Sequence, residues 1–386
     1  MYSKRIVFMA SCLGMLLFGI VLITLGSVIP DLKTKLQLNE ISAGTLFSIL
    51  PFGVLAGSMI FGPVVDKFSY RILLTLSCAI MCGGFLGIGF TYSQGVLKLC
   101  AFLIGFGGGA VNGATNALVS DISEKDKSAN LSLLGMFFGI GALGMPLVLG
   151  ILRDLAGFEI ILSAVAALTL AAGLLFILIK FPPSKQPHGF PVARSLGMLK
   201  DGFLLLIAFF LFIQSSFEGI LNNWTTTYLI EDMMIPQSKA LYALSSFVAG
   251  MALMRLLIGS VLRTLTEKKL LLISFVIILA GLICMKFGNS TVAAFTGLII
   301  LGAGLAAGFP AMLGITGNRY AELSGTAFSL VLFIALLGNI SVNYGMGIIA
   351  RNFGIHHLTN VAIILFIIMI LLYIFIFRKN KCKNNT

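Results

Sequence analysis

"GVLAGSMIFG" (Gly53–Gly62) and "GMALMRLLIG" (Gly250–Gly259) are one pattern met twice, 197 residues apart. The same shift carries Gly105 and Gly107 onto Gly302 and Gly304. It carries Ser132, Gly141 and Gly150 onto Ser329, Gly338 and Gly347, and Arg71 with Leu73–Leu74 onto Lys268 with Leu270–Leu271. Isolated glycine matches mean little in a chain holding 43 glycines. A single offset kept through five successive apolar segments marks an internal duplication, which has to be recognised before anything else is read.

The solvent of this duplicated chain is lipid. Hydrophobic residues make up 58% of it, charged residues only 10%, and mean hydropathy is +1.05. A soluble domain is about half apolar and about a quarter charged. Apolar runs of about 20 residues, the length a helix needs to cross the hydrocarbon, recur from end to end. They are long and continuous rather than short and alternating, which excludes a barrel and leaves an all-α membrane protein. Twelve spans are expected, at 6–30, 41–65, 72–91, 95–120, 128–152, 158–181, 202–230, 237–262, 268–288, 290–315, 322–349 and 355–377. The first is too long for a signal-peptide core and lacks a clear cleavage site. With the repeat, this divides the chain into two parallel six-helix halves, 1–181 and 202–386, joined by a cytoplasmic linker at 182–201 that is rich in proline and basic residues. The second half ends in a short basic tail.

Of the 26 Lys and Arg residues, 18 fall on one side if both termini are cytoplasmic and 7 on the other, with Arg255 inside a span. This positive-inside bias sets the expected orientation in a bacterial cytoplasmic membrane, and it accounts for the net charge of +12 without a nucleic-acid partner. Five of the six cysteines fall within or at the ends of spans and one in the tail; Cys78 and Cys82 share a helical face but no His or acid joins them, so all read as packing residues rather than a disulfide or metal framework. "GFGGG" at 105–109 follows no strand and is no dinucleotide fingerprint. No cofactor, metal or catalytic residue is expected, and the chain reads as a monomer and not an enzyme.

Two parallel six-helix repeats resemble the major facilitator superfamily. That resemblance implies a solute site near the midplane and alternating access by rocking of one half against the other. The loop "GPVVDKFSYR" (Gly62–Arg71) is similar to the superfamily's loop after its second helix, with Asp66, Lys67 and Arg71 as the implied conformational switch. Ser69 stands where a second glycine is usual, and Arg263 answers Asp66 in the other half. Three further stretches resemble the fucose–galactose–glucose:proton symporter family: "GGGAVNGATNALVSD" (Gly107–Asp121), "NLSLLGMFFGIGALGMPLVLGIL" (Asn130–Leu152) and "FEGILNNWTTTYL" (Phe217–Leu229). In one respect the chain departs from that family: its first and fourth spans hold no mid-membrane acid, offering Thr24, Ser27, Asn112, Thr115 and Asn116 instead.

The seventh span supplies the missing charge. Gln214, Glu218, Asn222 and Thr225 are spaced 4, 4 and 3 apart and share one helical face. An acid at mid-membrane costs about 3 kcal/mol to insert even on the lenient scale, so Glu218 is either the proton-coupling group or a permanently protonated or paired structural one. Asn112, Asn116, Gln214, Asn222, Asn223, Trp224 and Asn339 are the expected substrate-binding residues. The alternative for Trp224, the single tryptophan, is a ring seated at the lipid interface. Arg255 in the eighth span is a possible substrate-binding or structural charge, and Phe309–Pro310 marks an expected bend in the tenth. These residues suit proton-coupled import of a sugar or similar small polar solute. The alternatives are a proton-antiport exporter of drugs or metabolites, disfavoured by the lack of an arginine within the fourth span, and a non-transporting sensor on the same scaffold.

Overall fold

A computed structural model describes residues 2–123, 127–153, 155–182, 198, 200–260, 265–288, 290–320 and 324–383. Within helices it does not describe the side chains of residues 62, 63, 66, 67, 127–129, 131, 132, 259, 260, 324–326, 329 and 379–383. The side chains of Asp66 and Lys67 and most of the 182–201 linker therefore lie outside the described residues.

Among the described residues, twelve helices are long and apolar enough to cross a membrane. In the first compact unit (Met1–Phe190) they are α1 (Lys4–Leu36), α2 (Glu40–Lys67), α3 (Tyr70–Phe90), α4 (Gln94–Ile122), α5 (Lys127–Leu152) and α6 (Phe158–Leu178). The second unit (Pro191–Thr386) holds α7 (Gly202–Glu231), α8 (Gln237–Ser260), α9 (Glu267–Phe287), α10 (Thr291–Leu305), α11 (Gly308–Arg319), α12 (Ser324–Phe353), a 3-10 turn (Ile355–His357) and α13 (Leu358–Lys383). The helices α10 and α11 form a single span, Thr291–Arg319. The protein is an all-α, multi-pass membrane protein built of two pseudo-symmetric six-helix halves.

The duplicated glycines sit where helix backbones cross. A Cβ on Gly53 of α2 would meet the carbonyl oxygen of Phe102 on α4, and one on Gly105 of α4 would meet that of Leu50 on α2. In the second unit Gly250 of α8 faces the Ile299 carbonyl of α10, and Gly302 of α10 faces that of Phe247 on α8. Both residues of each pair are displaced by the same 197 positions. The shift also relates Gly107 beside Met81 to Gly304 beside Ile278, and Gly84 beside Ile104 to Gly281 beside Leu301. With no hydrophobic force between helices in lipid, stability comes from close van der Waals packing. Small residues at the crossings permit it.

Polar caps close several helix starts. Asn39, Ser69, Asp201, Thr266 and Ser290 each accept a backbone N–H from the first turn of α2, α3, α7, α9 and α10 respectively. Where α1 ends, unit 1 is tied by ion pairs. Arg153 donates to both Asp31 oxygens at 2.7 and 3.0 Å. Lys35 reaches Glu159 at 3.2 Å and the Gly89 carbonyl at 2.6 Å, and Lys33 reaches Glu40 at 3.2 Å.

The expected bend at Phe309–Pro310 lies a few residues further upstream. The helix is interrupted at Ala306–Ala307, and Pro310 falls in the first turn of α11. The reason is the helical hydrogen-bond ladder. Proline lacks the N–H that would bond four residues back, so the disturbance appears at Ala306, not at the proline. In the first turn of a new helix that N–H has no intrahelical partner anyway.

Candidate functional site

Two adjacent polar stripes run along α7, and they differ in how their hydrogen bonds are filled. The first holds Ser215, Gly219 and Asn223 and packs on α12. Asn339 donates to the Ser215 carbonyl at 3.0 Å. Asn343 donates to the Asn339 carbonyl and side-chain oxygens at 2.9 and 3.0 Å, and Asn223 donates to Asn343 Oδ1 at 3.1 Å. Gly219 makes room for this ladder, since a Cβ there would come within 2.5 Å of Asn339 Nδ2 and 2.8 Å of Asn343 Nδ2. Asn223 and Asn339 thus spend their amides joining α7 to α12. The one-turn spacing of Asn339 and Asn343 was legible in sequence, whereas their partners on α7 were not.

The second stripe is Gln214, Glu218, Asn222 and Thr225. Gln214 is fully buried, and its Nε2 donates both to Glu218 Oε1 at 2.8 Å and to the Leu305 carbonyl at 2.7 Å. That carbonyl belongs to the last residue of α10, at the Ala306–Ala307 break. Gly308, just beyond the break, lies against the same amide, so closely that a Cβ would strike it. Leu305 and Gly308 are neighbours of the candidate site that the sequence did not point to directly; Pro310 was the available signal.

Along this stripe three polar atoms are buried without a partner: Gln214 Oε1, Asn222 Oδ1 and Thr225 Oγ1. A threonine in a membrane helix ordinarily bonds the carbonyl four residues back, as Thr24 does to Ile20 at 2.6 Å. Across from the stripe Arg255 of α8 lies within coulombic reach of Glu218, and its Nε is likewise buried without a partner. Each buried unsatisfied group costs about 1–3 kcal/mol. Three unpartnered oxygens on the stripe that carries Glu218, with an unpartnered guanidinium nitrogen within its coulombic reach, suit a ligand offering both donors and acceptors.

Trp224 is completely buried. It does not seat in the lipid interface, which removes the interfacial reading of this ring. In unit 1 Asn112 and Asn116 share a face of α4 and remain partly accessible. Asn116 Nδ2 donates to the Asn112 backbone and side-chain oxygens at 2.9 and 3.0 Å and lies 4.0 Å from Met15 Sδ of α1. At the loop carrying the Asp66–Lys67–Arg71 triplet, Arg71 is exposed. The neighbouring Tyr70 donates to Asp121 Oδ2 at 3.3 Å, tying the start of α3 to the end of α4.

At the start of α7, Asp201 accepts from the Phe203 and Leu204 N–H groups and from the Tyr320 hydroxyl at 2.6 Å. Arg319 lies over the Phe203 ring, 3.9 Å from its centroid. Burial alone would raise the Asp201 carboxyl, but the Tyr320 and backbone hydrogen bonds together with the Arg319 charge outweigh it and hold the carboxyl below the usual range. Burial and the same hydrogen bond push the Tyr320 phenol up.

The sequence model of the Major Facilitator Superfamily matches this chain over residues 11–261 and 212–385. The chain belongs to the Major Facilitator Superfamily. It is 25% identical over 342 residues to the glucose/mannose transporter of Bacillus subtilis (strain 168), covering 85% of this chain and 84% of that protein. A D-xylose transporter of Levilactobacillus brevis is 28% identical over 132 residues, 34% of this chain and 29% of the other. Among solved structures, a nucleoside transporter superposes with a TM-score of 0.80 at 17% identity, covering 98% of this chain and 99% of that one. A D-xylose–proton symporter superposes with a TM-score of 0.78 at 14% identity, covering 96% and 97%. These superpositions show the major facilitator fold. The protein is a transporter, not an enzyme.

Proposed function

We propose that this major facilitator protein imports a sugar or a similar small polyhydroxylated solute, driven by protons, through alternating access. The observation that carries the reading is the second α7 stripe. It carries three unpartnered oxygen atoms beside Glu218, a carboxyl inside a membrane span, and Arg255, with its unpartnered nitrogen, lies within coulombic reach of that carboxyl. Hydroxyl groups both donate and accept, so a polyol satisfies Asn222, Thr225 and Arg255 together, with the Trp224 ring close by in sequence as a stacking surface. The similarity to a glucose/mannose transporter supports the substrate class.

Asn112 and Asn116 are proposed as the polar solute contacts of the first unit. Asp66, Lys67 and Arg71 are proposed as the conformational switch. The positive-inside bias supports the reading that both termini lie in the cytoplasm of a bacterial cell. Glu218 is proposed as the coupling group, because only a titrating group lets a proton gradient favour one facing state over another. The test is D-glucose transport by the full chain in liposomes. Glu218→Gln keeps the size and most hydrogen bonds of the residue, so it should lose accumulation driven by a pH gradient while exchange at equal pH, which needs no net proton movement, continues. Full gradient-driven accumulation by Glu218→Gln would leave uniport or another coupling ion as the better reading.

A further inference from the structure

The Gln214 amide joins two things that have no direct contact with each other in sequence or chemistry: the Glu218 carboxyl and the break in the tenth span. Its orientation is fixed by what it faces. The Leu305 carbonyl only accepts, so the amide atom 2.7 Å away is the NH2 group. Glu218 Oε1, 2.8 Å from that same nitrogen, is therefore also an acceptor. The other end of the amide, Gln214 Oε1, is a buried acceptor with nothing to accept.

We infer that Gln214 is a positioning residue that relays the protonation state of Glu218 to the α10–α11 break. The inference rests on the coupling role proposed for Glu218. When a proton adds to the carboxylate, Glu218 gains an O–H donor, and the empty acceptor on its neighbour is Gln214 Oε1. Turning the amide to take that hydrogen bond withdraws Nε2 from Leu305. The carbonyl at the end of α10 loses its cap, and the hinge at Ala306–Ala307 is released. Removal of the proton restores the NH2 group to both acceptors and closes it again. Gly308 fits this motion, because the absence of a Cβ there leaves the amide room to turn.

Few other charges act on the relay. Arg255 of α8 lies within coulombic reach of Glu218. Arg319 and Tyr320, at the far end of α11, are engaged with Phe203 and Asp201. Arg351 lies in the last turn of α12 and Arg378 near the end of α13, and His356 and His357 of the 3-10 turn contact each other. Among the described residues α10 presents no titratable group.

Two readouts on the full chain in liposomes, without solute, test the relay. Infrared spectroscopy follows the protonated-carboxyl stretch of Glu218, identified by its loss in Glu218→Gln. Amide hydrogen exchange over residues 303–312, corrected for the intrinsic effect of pH, follows the break. In the natural sequence protection at the break should change about fivefold with the same midpoint as the Glu218 signal, the equilibrium worth of roughly one hydrogen bond. In Gln214→Met, and independently in Gly308→Ala, whose methyl group blocks the turn, Glu218 should still titrate while protection at the break stays flat. A titrating Glu218 beside a break that is flat in the natural sequence overturns the relay alone. So does a break that follows pH unchanged in either variant. Absence of any Glu218 titration overturns the coupling role and the relay together.

Discussion

The two units use the same scaffold for different chemistry. Both cross their second and fourth spans on glycine, at positions related by one offset. In unit 1, however, buried alcohols are spent on their own helices. Ser11, Thr24, Ser27, Ser48 and Thr115 each donate to the carbonyl four residues back. Its described ion pairs lie at the helix ends, joining Lys33, Lys35 and Arg153 to Glu40, Glu159 and Asp31. In unit 2 a carboxyl and a guanidinium lie within the spans, and the polar atoms around them are left open. Duplication preserves the crossing glycines that packing requires, while the polar side chains of the two units differ.

The largest expected effect tests the shared scaffold. Gly105→Leu and Gly302→Leu each drive a side chain into a facing backbone carbonyl, which cannot move aside as a flexible side chain can. Each should cost about 3 kcal/mol or more and abolish monodisperse protein in detergent. Gly83→Leu, one residue from the packed Gly84 but with nothing within 4 Å, should be tolerated. A well-folded Gly302→Leu beside an unfolded Gly105→Leu would show that the two crossings are not equivalent.

The next effect tests the divergence. Asn222→Ala and Thr225→Val should each weaken D-glucose binding by about 1–3 kcal/mol, roughly five- to 150-fold. Thr24→Val and Thr115→Val remove alcohols already satisfied within their helices and should change binding by no more than about 0.6 kcal/mol. Titration calorimetry on purified protein measures both sets, and equal losses in the two units would erase the proposed asymmetry.

The smallest concerns two phenol–carboxylate contacts, Tyr320–Asp201 at 2.6 Å and Tyr70–Asp121 at 3.3 Å. The native Asp201 carboxyl is held below its ordinary value. Its stabilisation is therefore fully present above the ordinary carboxylate range and is lost as pH falls through the lowered native value. Asp201→Asn keeps a capping oxygen but should flatten this acid-side loss, whereas Asp201→Ala should also cost about 1 kcal/mol at neutral pH through the lost cap. Thermal unfolding in detergent at neutral and acid pH gives both numbers. Tyr70→Phe, at the longer contact, should shift stability less than Tyr320→Phe.

The spans were legible because lipid leaves no alternative to a long apolar helix. The duplication was legible because crossing glycines cannot be exchanged for larger residues. The α7 face was visible from spacing alone, as was the unusual position of Glu218. What the sequence could not show were partners brought together by packing. Arg153 and Asp31 stand 122 positions apart, Asn339 and Ser215 124, and no local pattern pairs them. The break in the tenth span was misplaced for a different reason: proline marks where the donor is missing, and the helix opens at the acceptor before it.

That break also bears on the order in which the protein is made. Neither the 15 residues of α10 nor the 12 of α11 reach the roughly 20 needed to cross the hydrocarbon, so neither half can be inserted by itself. Gln214 leaves the ribosome 91 residues before the Leu305 carbonyl it caps. The seventh span is thus already in place when the tenth emerges with an exposed polar group at its centre, and the older segment acts as an intramolecular chaperone for the younger one.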